Sequence, residues 1–215
     1  MNKTELIHKI ILQEKVVNKD DLKAISKKVL GKKNMAYFQR KYLSRLQDDY
    51  KIGKIKKGLY YGIPLENTRE EFEVDRYILA NKIRQGYALG YHSALELHGA
   101  AYSAFNTIYV LIQQRYRFQS FQFQHVKYKP IINRFHTKNL KRITYKDRII
   151  KVTDEARTFI ECLDRLDLCG GWEECLKSLA NLQGVKISNV EEILKSYHNK
   201  TLELKAGYVL EMLSK

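Results

Sequence analysis

At 215 residues, 44% of them hydrophobic and 11% aromatic, the chain is long and apolar enough for one or two domains with real cores, which excludes a compositionally disordered protein. Its 39 lysines and arginines against 24 acids leave a net charge of +15, a balance that points to a polyanionic partner. No run of about 18 apolar residues occurs, and the opening MNKTELIHKIILQEK lacks the apolar core and cleavage site of a signal peptide, so a cytoplasmic location is expected.

The charge is uneven. Residues 1–64 hold sixteen Lys or Arg against six acids, a net of +10, while residues 65–215 hold twenty-three against eighteen, a net of +5. A membrane surface would want an amphipathic helix with exposed bulky apolar residues, and none is evident.

In chain order, a first helix is expected from Thr4 to Glu14, with Leu6, Ile7, Ile10 and Ile11 inward. Val16 and Val17 lead into Asn18, an N-cap with Asp20 and Asp21 in the first turn. The second helix carries Leu22, Ile25 and Val29 and is placed to end at Gly31. Asn34 caps a third helix over residues 35–48, whose apolar face is Met35, Phe38, Tyr42, Leu43 and Leu46. Its opposite face holds Tyr37, Arg40, Lys41, Ser44 and Gln47, types that suit the DNA major groove. A two-stranded ribbon follows over 51–63, turning at Lys57-Gly58 and carrying Lys54, Lys56 and Lys57. A charged helix face alone is usually a solvated face. Here the basic residues continue into the ribbon, where charge has little structural reason to concentrate. Three helices and a basic hairpin make the inventory of a winged helix-turn-helix over residues 1–64, with the eight polar residues just named as its DNA-binding set.

The polar, acidic stretch 65–71 is read as a linker, and 72–215 as a second domain. A helix over 72–85 opens it, with Phe72, Tyr77, Ile78 and Ile83. His92 to His98 is a short helix between Gly90 and Gly99, and Thr107 to Ile112 a buried strand. Phe121 and Phe123 alternate with polar residues, and the phase shift to Val126 and Tyr128 suggests a bulge or bend near Gln124-His125. Ile143 and Tyr145 pair with Ile150 and Val152 around Lys146-Asp147-Arg148. A helix from Asp154 turns Ala156, Phe159, Ile160 and Leu163 inward, and Gly170-Gly171 breaks the chain before helices marked by Trp172, Leu176 and Leu179, then by Val190–Tyr197. The last, from Lys200, buries Leu202, Ala206, Val209, Leu210 and Leu213. The expected class is α+β: a winged helix, then an antiparallel sheet packed by helices.

Three segments carry a resemblance. Ile55-Lys56-Lys57-Gly58-Leu59-Tyr60-Tyr61, Ser93-Ala94-Leu95-Glu96-Leu97-His98-Gly99 and Ile150-Lys151-Val152-Thr153-Asp154-Glu155-Ala156-Arg157-Thr158 occur, in that order, as in the AbiEi family. These are antitoxins of type IV toxin–antitoxin (abortive infection) systems and regulators of viral defence. The resemblance implies a winged helix that represses its own operon by binding the operator upstream of it, and a C-terminal domain that counteracts a nucleotidyltransferase-like toxin without requiring a stable complex.

Other chemistry is weighed against packing. His92 and Glu96 share a helix face at metal-site spacing, with His98 directed elsewhere and suited to meeting last-turn carbonyls. A histidine pair without metal is the expected reading. Cys162, Cys169 and Cys175 lack zinc spacing and read as packed thiols. Asp147, Asp154 and Glu155 with Lys151 could serve a metal-dependent nuclease, but a turn and a helix start account for the two aspartates. Glu161 and Arg165 form an i, i+4 pair. No glycine-rich phosphate loop or serine elbow occurs. No catalytic residue, metal or cofactor is assigned. The alternatives are a stand-alone winged-helix regulator whose second domain binds a ligand or dimerises, and, behind it, a DNA-processing enzyme.

Overall fold

The computed structural model describes residues 2–31, 34–68, 70–135 and 137–214. Arg69, inside the predicted linker, lies outside them. The chain forms two compact units, Met1–Gln85 and Gly86–Lys215.

In the first unit, α1 (Lys3–Glu14) starts at a capping box in which Asn2 and Glu5 satisfy each other's backbone N–H. A two-residue strand β1 (Val16–Val17) follows. Helix α2 (Lys19–Leu30) has a second capping box, Asn18 with Asp21, and ends on Gly31 in the left-handed conformation. Asn34 caps α3, which runs over residues 35–48; the Asn34 side-chain oxygen accepts from the Tyr37 N–H at 3.0 Å. Strands β2 (Ile52–Lys56) and β3 (Leu59–Gly62) form the ribbon, and β1 pairs with β3 to give a three-stranded antiparallel sheet, β1-β3-β2. Val16 and Val17 are therefore sheet residues rather than a lead-in. Gly58, at φ +80, makes the predicted turn. Gly53 is needed for another reason: a Cβ there would stand 2.1 Å from the Tyr61 ring. Ile7, Ile11, Leu22, Ile25, Phe38, Leu43, Leu46 and Ile52 close one core.

The division between the units falls after Gln85, beyond the predicted linker at 65–71. Helix α4 (Arg76–Ile83) is shorter than expected and belongs to the first unit. Lys82 Nζ lies 3.0 Å from both Glu14 and Asp21. The Asn18 amide donates to Lys82 O, and Gln85 to Asp20. Asp21 of the α2 capping box thus also holds α4, together with Glu14 and Asp20, a link between distant positions that local pattern does not reveal.

The second unit is built on a six-stranded sheet, β6-β7-β5-β4-β9-β8. Its strands are β4 (Ala88–Leu89), β5 (Thr107–Ile112), β6 (Phe121–Phe123), β7 (Val126–Ile132), β8 (Leu140–Tyr145) and β9 (Arg148–Thr153). The sheet is mixed, not antiparallel throughout: β5 runs parallel to β7 and β4 parallel to β9. Residues 113–125 supply the crossover that a parallel pair needs. Of the bulge or bend expected at Gln124-His125, the structure has the bend: a hairpin turn with Phe123 paired to Val126. Helices α5 (His92–Leu97), α6 (Glu155–Asp164), α7 (Trp172–Asn181), α8 (Ile187–Tyr197) and α9 (Lys200–Leu213) complete the unit. The core joins Leu95, Tyr109 and Leu111 to Phe159, Ile160, Leu163, Leu202 and Val209. Cys162, Cys169 and Cys175 lie in it as free, buried thiols, and burial pushes the Cys175 thiol up to about 12. Leu213, expected inward, is 37% exposed.

Candidate nucleic-acid interface

The candidate surface is the outer face of α3 and the ribbon beside it. Helix α3 is not a regular helix. Its turns are α-helical over Met35–Phe38 and Ser44–Asp48 and π-helical over Gln39–Leu43. The Ser44 N–H reaches the Gln39 carbonyl, and the Ser44 hydroxyl donates to the same oxygen at 3.2 Å. Such π turns concentrate at functional sites. Phe38, Tyr42, Leu43 and Leu46 are buried as predicted, each side chain contributing about 1.5–3 kcal/mol.

The opposite side is exposed at Tyr37, Arg40, Lys41 and Ser44, and half-buried at Gln47. Arg45, which periodicity did not single out, is also exposed. Tyr37 and Tyr42, five apart across the π turn, meet edge to face at 6.2 Å. Lys41 Nζ stands 5.3 Å from the Tyr37 ring and 5.8 Å from the Tyr42 ring. The Tyr37 side chain, through its hydrogen bond, holds the Lys41 ammonium above the usual lysine range.

In the ribbon, Lys54 and Lys57 are exposed as expected, but Lys56 is half-buried. Burial, and then the neighbouring Arg84 charge, push its ammonium down to about 8. Lys19, from the first turn of α2, lies against the ribbon turn: a Cβ on Gly58 would meet its Cγ at 2.5 Å. Neither Lys19 nor Arg84 was in the predicted set, because each reaches the ribbon only through the fold.

The Lys56 shift has a sign that can be checked. The unfolded chain holds this proton up to about 10.5, the folded chain only up to about 8, so unfolding takes up a proton between these values. Stability therefore rises with pH from about 8 to about 10.5 and is reduced below that window by the buried charge. Lys56→Met should flatten this rise and raise stability at neutral pH, as read by chemical denaturation at several pH values.

The fold is similar to that of the Rv2827c protein from Mycobacterium tuberculosis, seen in its crystal structure. The TM-score is 0.68 at 17% sequence identity, over 99% of this chain and 76% of that one. At this identity the likeness concerns the fold alone. No protein-family model matches the chain, and no curated protein does.

The fold shows what two of the three quoted segments do. Ser93 Oγ accepts from the Tyr109 N–H at 2.9 Å, tying α5 to β5. His98 ends its own helix, its backbone N–H donating to the Ala94 carbonyl, but its imidazole does not meet the last-turn carbonyls. Its Nε2 meets the Thr153 carbonyl at 2.8 Å, so the segment around 93–99 is joined directly to the segment around 150–158. There Thr153 and Thr158 exchange a hydroxyl hydrogen bond at 2.7 Å, and Asp154 caps α6. Glu161 pairs not with Arg165 but with Arg157, one turn earlier, and both side chains are 1% exposed. Arg165 instead meets Asp167. Burial, opposed by Arg157, holds the Glu161 carboxyl above its ordinary range.

His92 is fully buried and stacked on Phe105 at 3.5 Å, with its ring nitrogens 3.3 Å from Glu96 and 3.5 Å from Glu174. Among the described residues no three His, Cys, Asp or Glu side chains are arranged to hold a metal. Asp147 lies in the β8–β9 turn, apart from the Asp154 cap. A polar cavity of about 530 Å³ opens beside His98, Lys141 and Glu155. No helix among the described residues is long and apolar enough to cross a membrane.

Proposed function

We propose that the chain is a cytoplasmic, sequence-specific DNA-binding repressor that also acts as the antitoxin of a type IV system, akin to the AbiEi family. The carrying observation is the exposed set Tyr37, Arg40, Lys41 and Ser44 on α3, continued by Lys54 and Lys57 of the ribbon. Guanidinium and ammonium groups reach phosphates and guanine edges, and hydroxyls bond either. In this reading the first unit occupies the operator upstream of its own operon. The second unit counteracts a nucleotidyltransferase-like toxin encoded beside it. The protein works by binding, with no catalytic residue, metal or cofactor of its own.

Support for the antitoxin role comes from the three segments in family order, two of which meet at the His98–Thr153 hydrogen bond. The test is co-expression of the full chain with the adjacent gene, alongside a reporter driven by the upstream promoter. Growth rescue together with repression is the expected result. Repression without rescue would remove the antitoxin role and leave a stand-alone regulator. Metal-dependent DNA cleavage by purified protein would replace both with an enzyme.

A further inference from the structure

A second basic surface lies in the other unit, where the average charge hides it. Residues 113–153, which supply β6 to β9, contain eleven lysines and arginines and one acid, Asp147, so 11 − 1 gives +10. That equals the charge of residues 1–64 in fewer residues. The stretch that follows, 154–215, contains eight against eleven, a net of −3.

The β8–β9 hairpin carries five of these cations: Lys141, Arg142, Lys146, Arg148 and Lys151. Register places Arg142 directly opposite Lys151. Their Cβ atoms are then about 4.5–5.5 Å apart, and like charges so placed destabilise a sheet. No carboxylate pairs with either among the described residues, whereas neighbouring Lys141 is tied to Glu155. The next rung of the same face is Thr144 opposite Ile149, with Thr144 exposed and Ile149 54% exposed. Lys146 sits at the turn beyond, at φ +51.

Edge strands often carry lysine to prevent unwanted pairing. That accounts for Lys141 and Arg142 on β8, the last strand of the sheet. It does not account for Lys151, which is on the inner strand β9. Two facing cations on adjacent strands, with no acid between them, are stabilised by an external anion.

We propose that this face of the β8–β9 hairpin, with Arg142, Lys151 and Lys146, is a second contact for duplex DNA, made to its phosphate backbone. The Thr144 hydroxyl is a further phosphate donor, and Ile149 carries no hydrogen-bonding group to read bases, so the contact is independent of sequence. The choice of DNA among polyanions rests on the DNA-binding reading of the first unit. The contact is separate from α3 and its ribbon.

The experiment uses the full chain, a labelled duplex and fluorescence anisotropy across a salt series, with thermal melting to confirm folding. R142Q/K151Q should weaken binding to all duplexes alike and lower the slope of log K against log salt by roughly 1.8, at about 0.9 per lost contact. R142K/K151R should keep both near the parent values. A parent-like slope in folded R142Q/K151Q, with binding lost in R40A/K57A, overturns the proposal and leaves the first-unit reading in place. The opposite pattern keeps the proposal and overturns the first-unit reading. Competition by poly-glutamate as effective as that by unlabelled duplex overturns the assignment to DNA.

Discussion

Replacing Arg157 by methionine should destabilise the second unit by about 3–5 kcal/mol, the cost of leaving a buried charge without its partner. Arg157 Nε and Nη2 lie 2.9 and 2.8 Å from Glu161 Oε1, and Nη1 donates to the Phe135 carbonyl at 2.6 Å and to that of Lys138. The Asn133 amide adds a third donor to Glu161 at 2.8 Å. The variant strands the carboxylate and frees two carbonyls in the segment 133–139. A double replacement, Arg157→Met with Glu161→Leu, removes both charges and should recover much of the loss. Denaturant unfolding of the full chain, following the transition that Trp172 reports, measures both. A loss below about 1 kcal/mol in the single variant would show that the pair does not hold the unit together. Because Arg157 lies in one of the segments that suggest an antitoxin, lost rescue in this variant is expected from unfolding rather than from a lost toxin contact.

The second large effect is on DNA affinity. Arg40→Ala should cost about 1–3 kcal/mol on the preferred site and narrow the gap between it and other sequences, as the loss of a base contact does. Lys54→Ala with Lys57→Ala should weaken all duplexes alike and lower the salt slope by roughly 1.8. The difference follows from position: Arg40 is on the exposed face of α3, while the two lysines flank the ribbon turn at Gly58. Parent-like gel-shift affinity in both variants would remove α3 and the ribbon from the interface.

Local signals carried the first unit. Asn18 and Asn34 are caps, Gly31 is a left-handed stop, and Lys57-Gly58 is the ribbon turn, as the sequence suggested. Each depends on a few neighbouring residues. What escaped the sequence depends on distant partners. Strand β1 has only two residues and exists because β3 pairs with it. The parallel pairing of β5 with β7 leaves no trace in side-chain alternation, which reports faces rather than strand direction. Glu161 reads as a pair with Arg165 because that i, i+4 spacing is common on exposed helices, yet it pairs with Arg157, and Asn133, Phe135 and Lys138 supply the remaining partners of the two buried side chains. Within the candidate interface, Arg40, Lys41, Ser44, Lys54 and Lys57 are exposed as read, and Lys56 is withdrawn by burial next to Arg84. The basic hairpin of the second unit was hidden by averaging, since the acidic helices after it cancel much of its charge.

The central claim is that the first unit's basic face reads DNA. The measurement that tests it most directly is nuclease footprinting of the full chain on the DNA upstream of its own gene, with affinity for an unrelated duplex measured at the same salt. The account predicts a discrete protected site bound at least about 10³-fold more tightly than the unrelated duplex, with the preference reduced by Arg40→Ala. Equal affinity for both duplexes, with no protected site and no response to Arg40→Ala, would contradict it.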